Sequence, residues 1–174
     1  RRRWFAKGDL TEAVDHEVRQ KFAFLLTGEL AERFAKSARE LSIPLWRKMA
    51  LIVLFDQVTR NIFRGTPLAY SGDAVALPLA LELAKSIEKL PLHFQATVCI
   101  CLCHAEEFSV QNVLKRCVET MSRQRSHNRD LKTALQEIQI KHQERIILFG
   151  RFPERNIVLG RKNTTEEDSY LAQL

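Results

Sequence analysis

Apolar residues recur along this chain at the three- and four-residue spacing of amphipathic helices, and the alternation typical of strands is nearly absent. Turn residues divide the pattern into eight helical stretches. Gly150 and Pro153 mark the end of the longest one, and Thr164 with Glu167 has the spacing of a capping box. Ser42 and Ser109 are predicted N-caps. The predicted helices cover residues 10–26, 29–41, 43–64, 72–89, 92–108, 110–121, 128–149 and 164–174.

These stretches predict an all-α fold of about eight helices packed as antiparallel hairpins. The 174 residues fit one domain, residues 1–174, because no linker or shift in composition interrupts them. Hydrophobic residues make up 45% and charged residues 28%, the balance of a globular protein with its own core. No apolar run approaches the roughly 20 residues that span a bilayer, so we expect no membrane segment.

Two turns nearly repeat one another, "RNIFRG" at residues 60–65 and "RNIVLG" at residues 155–160. Each follows the end of a long apolar helix. Arginines at such ends can simply bind the last helical carbonyls. They can also act as anion clamps, because a guanidinium matches a carboxylate or phosphate bidentately. The arginines concerned are Arg60, Arg64, Arg151 and Arg155.

Ionisable residues occupy apolar faces on three of the predicted helices. Asp56 continues the inner stripe of the third helix, with Arg60 one turn later. His142 fills a core position of the seventh, and the fifth carries His104, Glu107 and Gln111 on one face. If the three faces converge, they form a polar pocket; the alternative is a satisfied buried network that fixes helix register. The candidate ligand-binding residues are Asp56, Gln57, Arg60, Asn61, Arg64, His104, Glu107, Gln111, His142, Arg151, Arg155 and Asn156.

No motif assigns a catalytic residue or a cofactor, so enzymatic activity is left open. The cysteines, Cys99, Cys101 and Cys103 in "CICLC" and Cys117, lack the paired spacing of a zinc site. His104, His142, Asp56 and Glu107 are plausible ligand types, but without a paired metal motif we expect no metal.

We expect the cysteines to be buried, reduced hydrophobes in a cytoplasmic compartment. The first residue is Arg rather than Met, which leaves organelle targeting open. The net charge of +6 is scattered, a weak indication of nucleic-acid binding.

The motifs resemble those of domain-of-unknown-function family 924, in order and over essentially the whole chain. The resemblance rests on Trp4-Phe5, "LFDQVTRNIFRGTP", Asp73, "HAEEFSVQ", and His142 leading into "FGRFPERNIVLGRKNTTEE". It implies a tetratricopeptide-like all-α fold and no established reaction. The chain departs from the family pattern at Val58-Thr59 in place of Phe-Pro, Ala105 in place of Ser, and Glu154 in place of His.

Three functions are compatible with these observations. The first is binding of a small anionic ligand or an acidic peptide group in a pocket of Arg, His and Asp. The second is a protein-interaction scaffold whose polar cluster is structural. The third is RNA binding through the basic excess, which a steep salt dependence would reveal. Oligomeric state and ligand identity are not specified by the sequence.

Overall fold

The computed structural model describes residues 9–40, 42–124 and 128–174, and within these ranges it contains helices and no strand. The all-α prediction is therefore confirmed. Trp4-Phe5 lies outside the described residues. The described α-helices are α1 Asp9–Phe22, α2 Gly28–Ser37, α3 Leu45–Ile52, α4 Thr59–Ile62, α5 Asp73–Ala84, α6 Leu92–Cys103, α7 Phe108–Arg123, α8 Arg129–Phe149 and α9 Thr165–Leu171.

Several predicted helix ends carry caps in the structure. The Asn128 side chain accepts a hydrogen bond from the Leu131 N–H at the start of α8. Gly150 ends that helix in the left-handed conformation, with φ of 68°. Thr164 and Glu167 form the complete capping box of α9. Local sequence therefore determines both ends of α8 and the start of α9.

Several predicted boundaries are wrong, including the end of the fourth helix, which lies at Ala84 rather than at residue 89. The fifth predicted helix ends at Cys103 rather than at residue 108, because the Gln111 side-chain amide donates to the carbonyls of Cys103 and Ala105 and so satisfies its C-terminus. Helix α7 then begins at Phe108, so Ser109 lies inside it and is not its cap. Ser42 caps nothing, because Pro44 directly precedes α3.

The described chain divides into two compact units, Arg1–Ala76 and Leu77–Leu174. In unit 1, helix α1 packs on α4, and α3 continues through a π-helical segment, Val53–Val58, into α4. In unit 2, α6, α7 and α8 pack against one another. The unit 2 core includes Val98, Leu102, Leu114, Met121 and Ile146, and all four cysteines are buried there as free thiols.

The π-helical segment adds a residue to one turn, so the Thr59 N–H bonds to Leu54 O five residues earlier. The hydroxyl of Thr59 donates to Phe55 O at 2.5 Å. Gly72 approaches the same carbonyl so closely that a Cβ built on it would lie 2.0 Å from Phe55 O. The segment is therefore held by a hydroxyl on one side and by a residue that must be glycine on the other.

No helix in the part of the chain that the structure describes is long and apolar enough to cross a membrane.

Candidate functional site

Arg60 in unit 1 joins two carboxylates. Its Nη1 lies 2.9 Å from Asp56 Oδ1, and its guanidinium donates to both oxygens of Asp73 at 2.7 and 3.0 Å. Gln57 Nε2 donates to Asp56 Oδ2 at 2.5 Å, and the Arg60 guanidinium lies 5.6 Å from the centre of the Tyr70 ring. Asp56 is only 2% exposed, so its charge depends on this arginine. These contacts tie the π-helical segment to the start of α5.

A second network in unit 1 centres on Asp15 of α1. Arg64 Nε and Nη2 donate to its carboxylate at 2.5 and 3.0 Å, and Asn61 Nδ2 donates at 2.8 Å. Burial opposes ionisation of Asp15, but the hydrogen bonds from Arg64 and Asn61 outweigh it and lower the pKa of the carboxyl. Arg19 of the same helix donates to Ile62 O at 2.6 Å, at the end of α4. Both contacts hold α1 against α4.

In unit 2, Glu167 of α9 is the centre of a third network. Arg151 Nε and Nη2 donate to its two oxygens at 2.6 and 2.7 Å, and Asn156 Nδ2 donates at 3.1 Å. The Thr164 N–H donates to the same carboxylate at 2.8 Å. The bond from Arg151 is the main reason that the pKa of Glu167 falls to about 2. Asn156 is fully buried and also donates to Asn163 Oδ1.

A fourth network contains Glu106. The sequence had instead indicated its neighbour, Glu107. Arg161 donates to both Glu106 oxygens at 2.6 and 2.9 Å, and the Phe152 N–H donates at 2.8 Å. Burial opposes ionisation of Glu106, but the bonds from Arg161 and Phe152 outweigh it and lower its pKa. Glu107 is exposed and precedes α7 as its N-cap residue. The predicted shared face with His104 is therefore wrong, because the helix that would have aligned them ends first.

The buried Phe152 ring is surrounded by basic side chains. The guanidinium carbons of Arg155 and Arg145 lie 4.5 and 5.4 Å from its centre, and the His142 ring meets it edge-on at 5.3 Å. Arg155 Nη2 donates to the His104 carbonyl at 2.9 Å, at the end of α6. We call these five residues, His104, His142, Arg145, Phe152 and Arg155, the His142 cluster.

His142 is neutral in this setting. Its Nδ1 lies 2.8 Å from Ile138 O, which makes Nδ1 the N–H donor and Nε2 the lone-pair nitrogen. Burial is the main reason that the pKa of His142 falls to about 4; the Ile138 bond opposes the fall, and the smaller effects of Arg145, His104 and Arg155 add to it. Arg145 Nη2 lies 3.4 Å from Nδ1, and with both atoms carrying protons this approach is repulsive. Arg145 also pairs with the carboxylate of Glu154.

Most of the candidate residues from the sequence are placed in these networks. Gln111 is fully buried and caps the end of α6. Asp56 and Arg60 belong to unit 1 and His142 and Arg155 to unit 2, so the predicted convergence of these faces stays a prediction.

Apart from Asp56, the carboxylates that bind the motif arginines were not among the residues expected from the sequence. Asp73, Glu106 and Glu167 all lie within the stretches that carry the family resemblance. This position was the one signal in the sequence that could have identified them. Asp15 had no comparable signal, because its partner Arg64 is 49 residues away.

Among residues 9–40, 42–124 and 128–174, no group of three or more His, Cys, Asp or Glu side chains is placed to hold a metal ion.

The profile of a protein family described as bacterial protein of unknown function (DUF924) matches residues 1–174. Among solved structures, a protein of unknown function from Agrobacterium tumefaciens is similar to this chain, with a TM-score of 0.73 and 27% identity. The similarity covers 98% of this chain and 89% of that one. No curated protein matches the chain. These similarities cover nearly the whole chain, and both descriptions are of proteins of unknown function.

Proposed function

Because the chain belongs to the DUF924 family, whose function is unknown, we propose a function from the chemistry of its side chains: unit 2 binds a small ligand or peptide group through a carboxylate or phosphate. The proposed site is the His142 cluster. The observation that carries the proposal is the gathering of two guanidinium groups and an imidazole around one buried aromatic ring.

The electrostatics of the cluster favour an anion. Arg145, His104 and Arg155 all depress the pKa of His142, which means that the imidazole lies in a positive potential. An anionic group bound beside His142 would lower this potential, and it would also permit the imidazole to take up a proton and become a second donor. Anion binding and protonation of His142 should therefore be coupled.

The other three arginines of the doubled turns suit this role less well. Arg60, Arg64 and Arg151 each bind a carboxylate of the chain, in every case through two nitrogen–oxygen contacts. An incoming anion would have to displace an aspartate or glutamate that is already bound. Arg155 donates to the His104 carbonyl and lies over the Phe152 ring, and its charge also lowers the pKa of Glu106. Arg145 is paired with Glu154, so Arg155 is the guanidinium of the cluster that the test addresses.

Calorimetric titration with sulfate tests the proposal. Removing one charge-assisted contact from an anion site costs about 1.5–3 kcal/mol, so Arg155→Gln should weaken sulfate binding at least tenfold. Arg151→Gln is the matched control. Glu167 already occupies the Arg151 side chain, so this variant should bind sulfate as the unaltered protein does. Equal binding by Arg155→Gln and the unaltered protein would refute the proposal.

A protein-interaction scaffold is the second candidate, and exposed apolar side chains favour it. On α8, Ile147 is 61% and Leu148 69% exposed, and Ile157 is 90% exposed. Adjacent exposed apolar side chains, such as Ile147 and Leu148, often mark interaction surfaces. Capture of a partner that Ile147→Glu abolishes and Arg155→Gln leaves intact would support the scaffold. Capture that Ile147→Glu leaves intact would contradict it.

A further inference from the structure

The arginines of the His142 cluster can only donate hydrogen bonds, whereas His142 offers an acceptor. Its Nδ1 lies 2.8 Å from the Ile138 carbonyl oxygen, and because a carbonyl only accepts, the proton of the neutral ring is on Nδ1. The second ring nitrogen, Nε2, therefore carries a lone pair. An anion that binds in the cluster meets the donors of Arg155 and the lone pair of His142.

The Nε2 atom of His142 is available to a ligand. Within the ranges that the structure describes it makes no hydrogen bond, and it is not one of the polar atoms that are sealed from solvent. The residue as a whole is half-buried, and its ring lies edge-on to the ring of Phe152 at 5.3 Å. A half-buried acceptor without a partner in the chain is suited to a hydrogen-bond donor that a ligand brings.

The surroundings keep His142 in its neutral form. Burial is the main reason that its pKa falls to about 4, and the positive groups of the cluster add to the effect. Two carboxylates contact the cluster, but each is bound by an arginine: Glu154 pairs with Arg145, and Glu106 pairs with Arg161. At about pH 5.5 the imidazole is therefore mainly neutral, and Nε2 accepts rather than donates.

Oxyanions differ in whether they bring a proton to such an acceptor. A carboxylate or a sulfate ester has lost its acidic proton at about pH 5.5, so its oxygens would place a lone pair against the lone pair of Nε2. A phosphate monoester loses its second proton only at a pKa of about 6, so it still keeps one O–H. The monoester monoanion thus offers ionised oxygens to a guanidinium and a donor to the imidazole.

We propose that the His142 cluster binds a protonated phosphate group, such as a phosphate monoester monoanion, and that His142 selects this group over sulfate and carboxylate. The P–O–H of the ligand donates to Nε2, while its ionised oxygens lie against the Arg155 guanidinium. The ligand supplies the bridging proton, whereas sulfate binds tightly only when His142 has taken up a proton from solution. This inference rests on the function proposed for the cluster and narrows it to one class of anion.

Phenyl phosphate and phenyl sulfate form a matched pair of probes. At about pH 5.5 both carry mainly one negative charge on the same body, and they differ in the P–O–H proton. In calorimetric titrations at that pH, the unaltered protein should bind phenyl phosphate at least tenfold more tightly, since phenyl sulfate leaves Nε2 without a donor.

Two variants test whether His142 is the source of this preference. A glutamine amide both donates and accepts, so in His142→Gln the preference for phenyl phosphate should disappear. His93→Gln, at an exposed position of α6, is the matched control and should keep the full preference. A preference that persists in His142→Gln would overturn the inference, because another group would then select the phosphate.

The unaltered protein alone separates this inference from the function on which it rests. Equal affinity for the two probes would overturn the inference and leave the anion site intact. No binding of either probe would overturn both. Inorganic phosphate as a third probe distinguishes the sources of the group, and either result supports the inference: affinity equal to that of phenyl phosphate indicates free phosphate, and weaker affinity indicates an ester.

Discussion

Individual arginines in this protein connect segments that are distant in sequence. Arg60 bridges Asp56 and Asp73, which stand at the two ends of the connection between the π-helical segment and α5. Arg161 reaches Glu106 across 55 residues, and together with the Phe152 N–H it fastens the segment after α8 to the end of α6. The motif arginines therefore hold the chain together before any ligand is considered.

Arg60→Ala should be strongly destabilising. The substitution leaves the Asp56 carboxylate, which is 2% exposed, without its arginine, and breaking a buried pair in this way costs about 3–5 kcal/mol. Urea denaturation measures the loss. In the double variant Arg60→Ala/Asp56→Asn part of it should return, because no buried carboxylate is then left without its arginine. A loss below about 1 kcal/mol, with no recovery in the double variant, would show that the pair contributes little.

His142 should make stability fall as the solution is acidified. Its pKa is 6.5 in the unfolded chain and about 4 in the folded protein, so between these values the unfolded state binds more protons. Stability is therefore lost as pH falls from about 6.5 to about 4, by about 3 kcal/mol at 1.36 kcal/mol per pKa unit.

Comparing the pH dependence of unfolding in two variants isolates this contribution. His142→Gln should flatten the curve in that range, and His93→Gln, at an exposed position of α6, should leave it unchanged. If the His142→Gln curve has the slope of the unaltered protein, His142 does not account for the loss.

Among the described elements, the π-helical segment Val53–Val58 has an irregular turn. Its Phe55 carbonyl receives the Thr59 hydroxyl and lies against Gly72, so the irregular turn is stabilised by packing outside the helix. Such segments are frequent at functional sites, and this one presents Asp56 and Gln57.

Gly72→Ala should disrupt this packing. The added Cβ would stand 2.0 Å from the Phe55 oxygen, a backbone atom that cannot rotate away, so the loss of stability should exceed about 3 kcal/mol. Gly65→Ala is the control: its φ is 78°, but nothing lies within 4 Å of the added carbon. It should cost only about 1–2 kcal/mol of backbone strain. Equal losses in the two variants, measured by thermal unfolding, would contradict the close contact.

The helices with local caps could be predicted from the sequence. The π-helical segment and the end of α6 could not. Caps such as Asn128 and Thr164 act within one turn, so local sequence determines them. The π-helical segment has no local signal, since it depends on Gly72 beyond the next turn. The end of α6 depends on Gln111, whose side chain reaches back to Ala105 from the following helix.

At the scale of the whole chain, part of the candidate site was predictable. The pairing of Asp56 with Arg60 followed from a spacing of one helical turn. The acids bound by Arg64 and Arg151 lie 49 and 16 residues from them, beyond any helical periodicity. The sequence therefore indicated the basic groups and left out the acids that bind most of them.

The central claim is that the His142 cluster binds an anion, and NMR titration of the His142 imidazole tests it most directly. With no ligand its pKa should be about 4. Saturating sulfate, which keeps its charge over this pH range, should raise that pKa by at least about one unit, and in Arg155→Gln the rise should disappear. If sulfate leaves the pKa of His142 unchanged, or raises it equally in Arg155→Gln, the cluster is not an anion site.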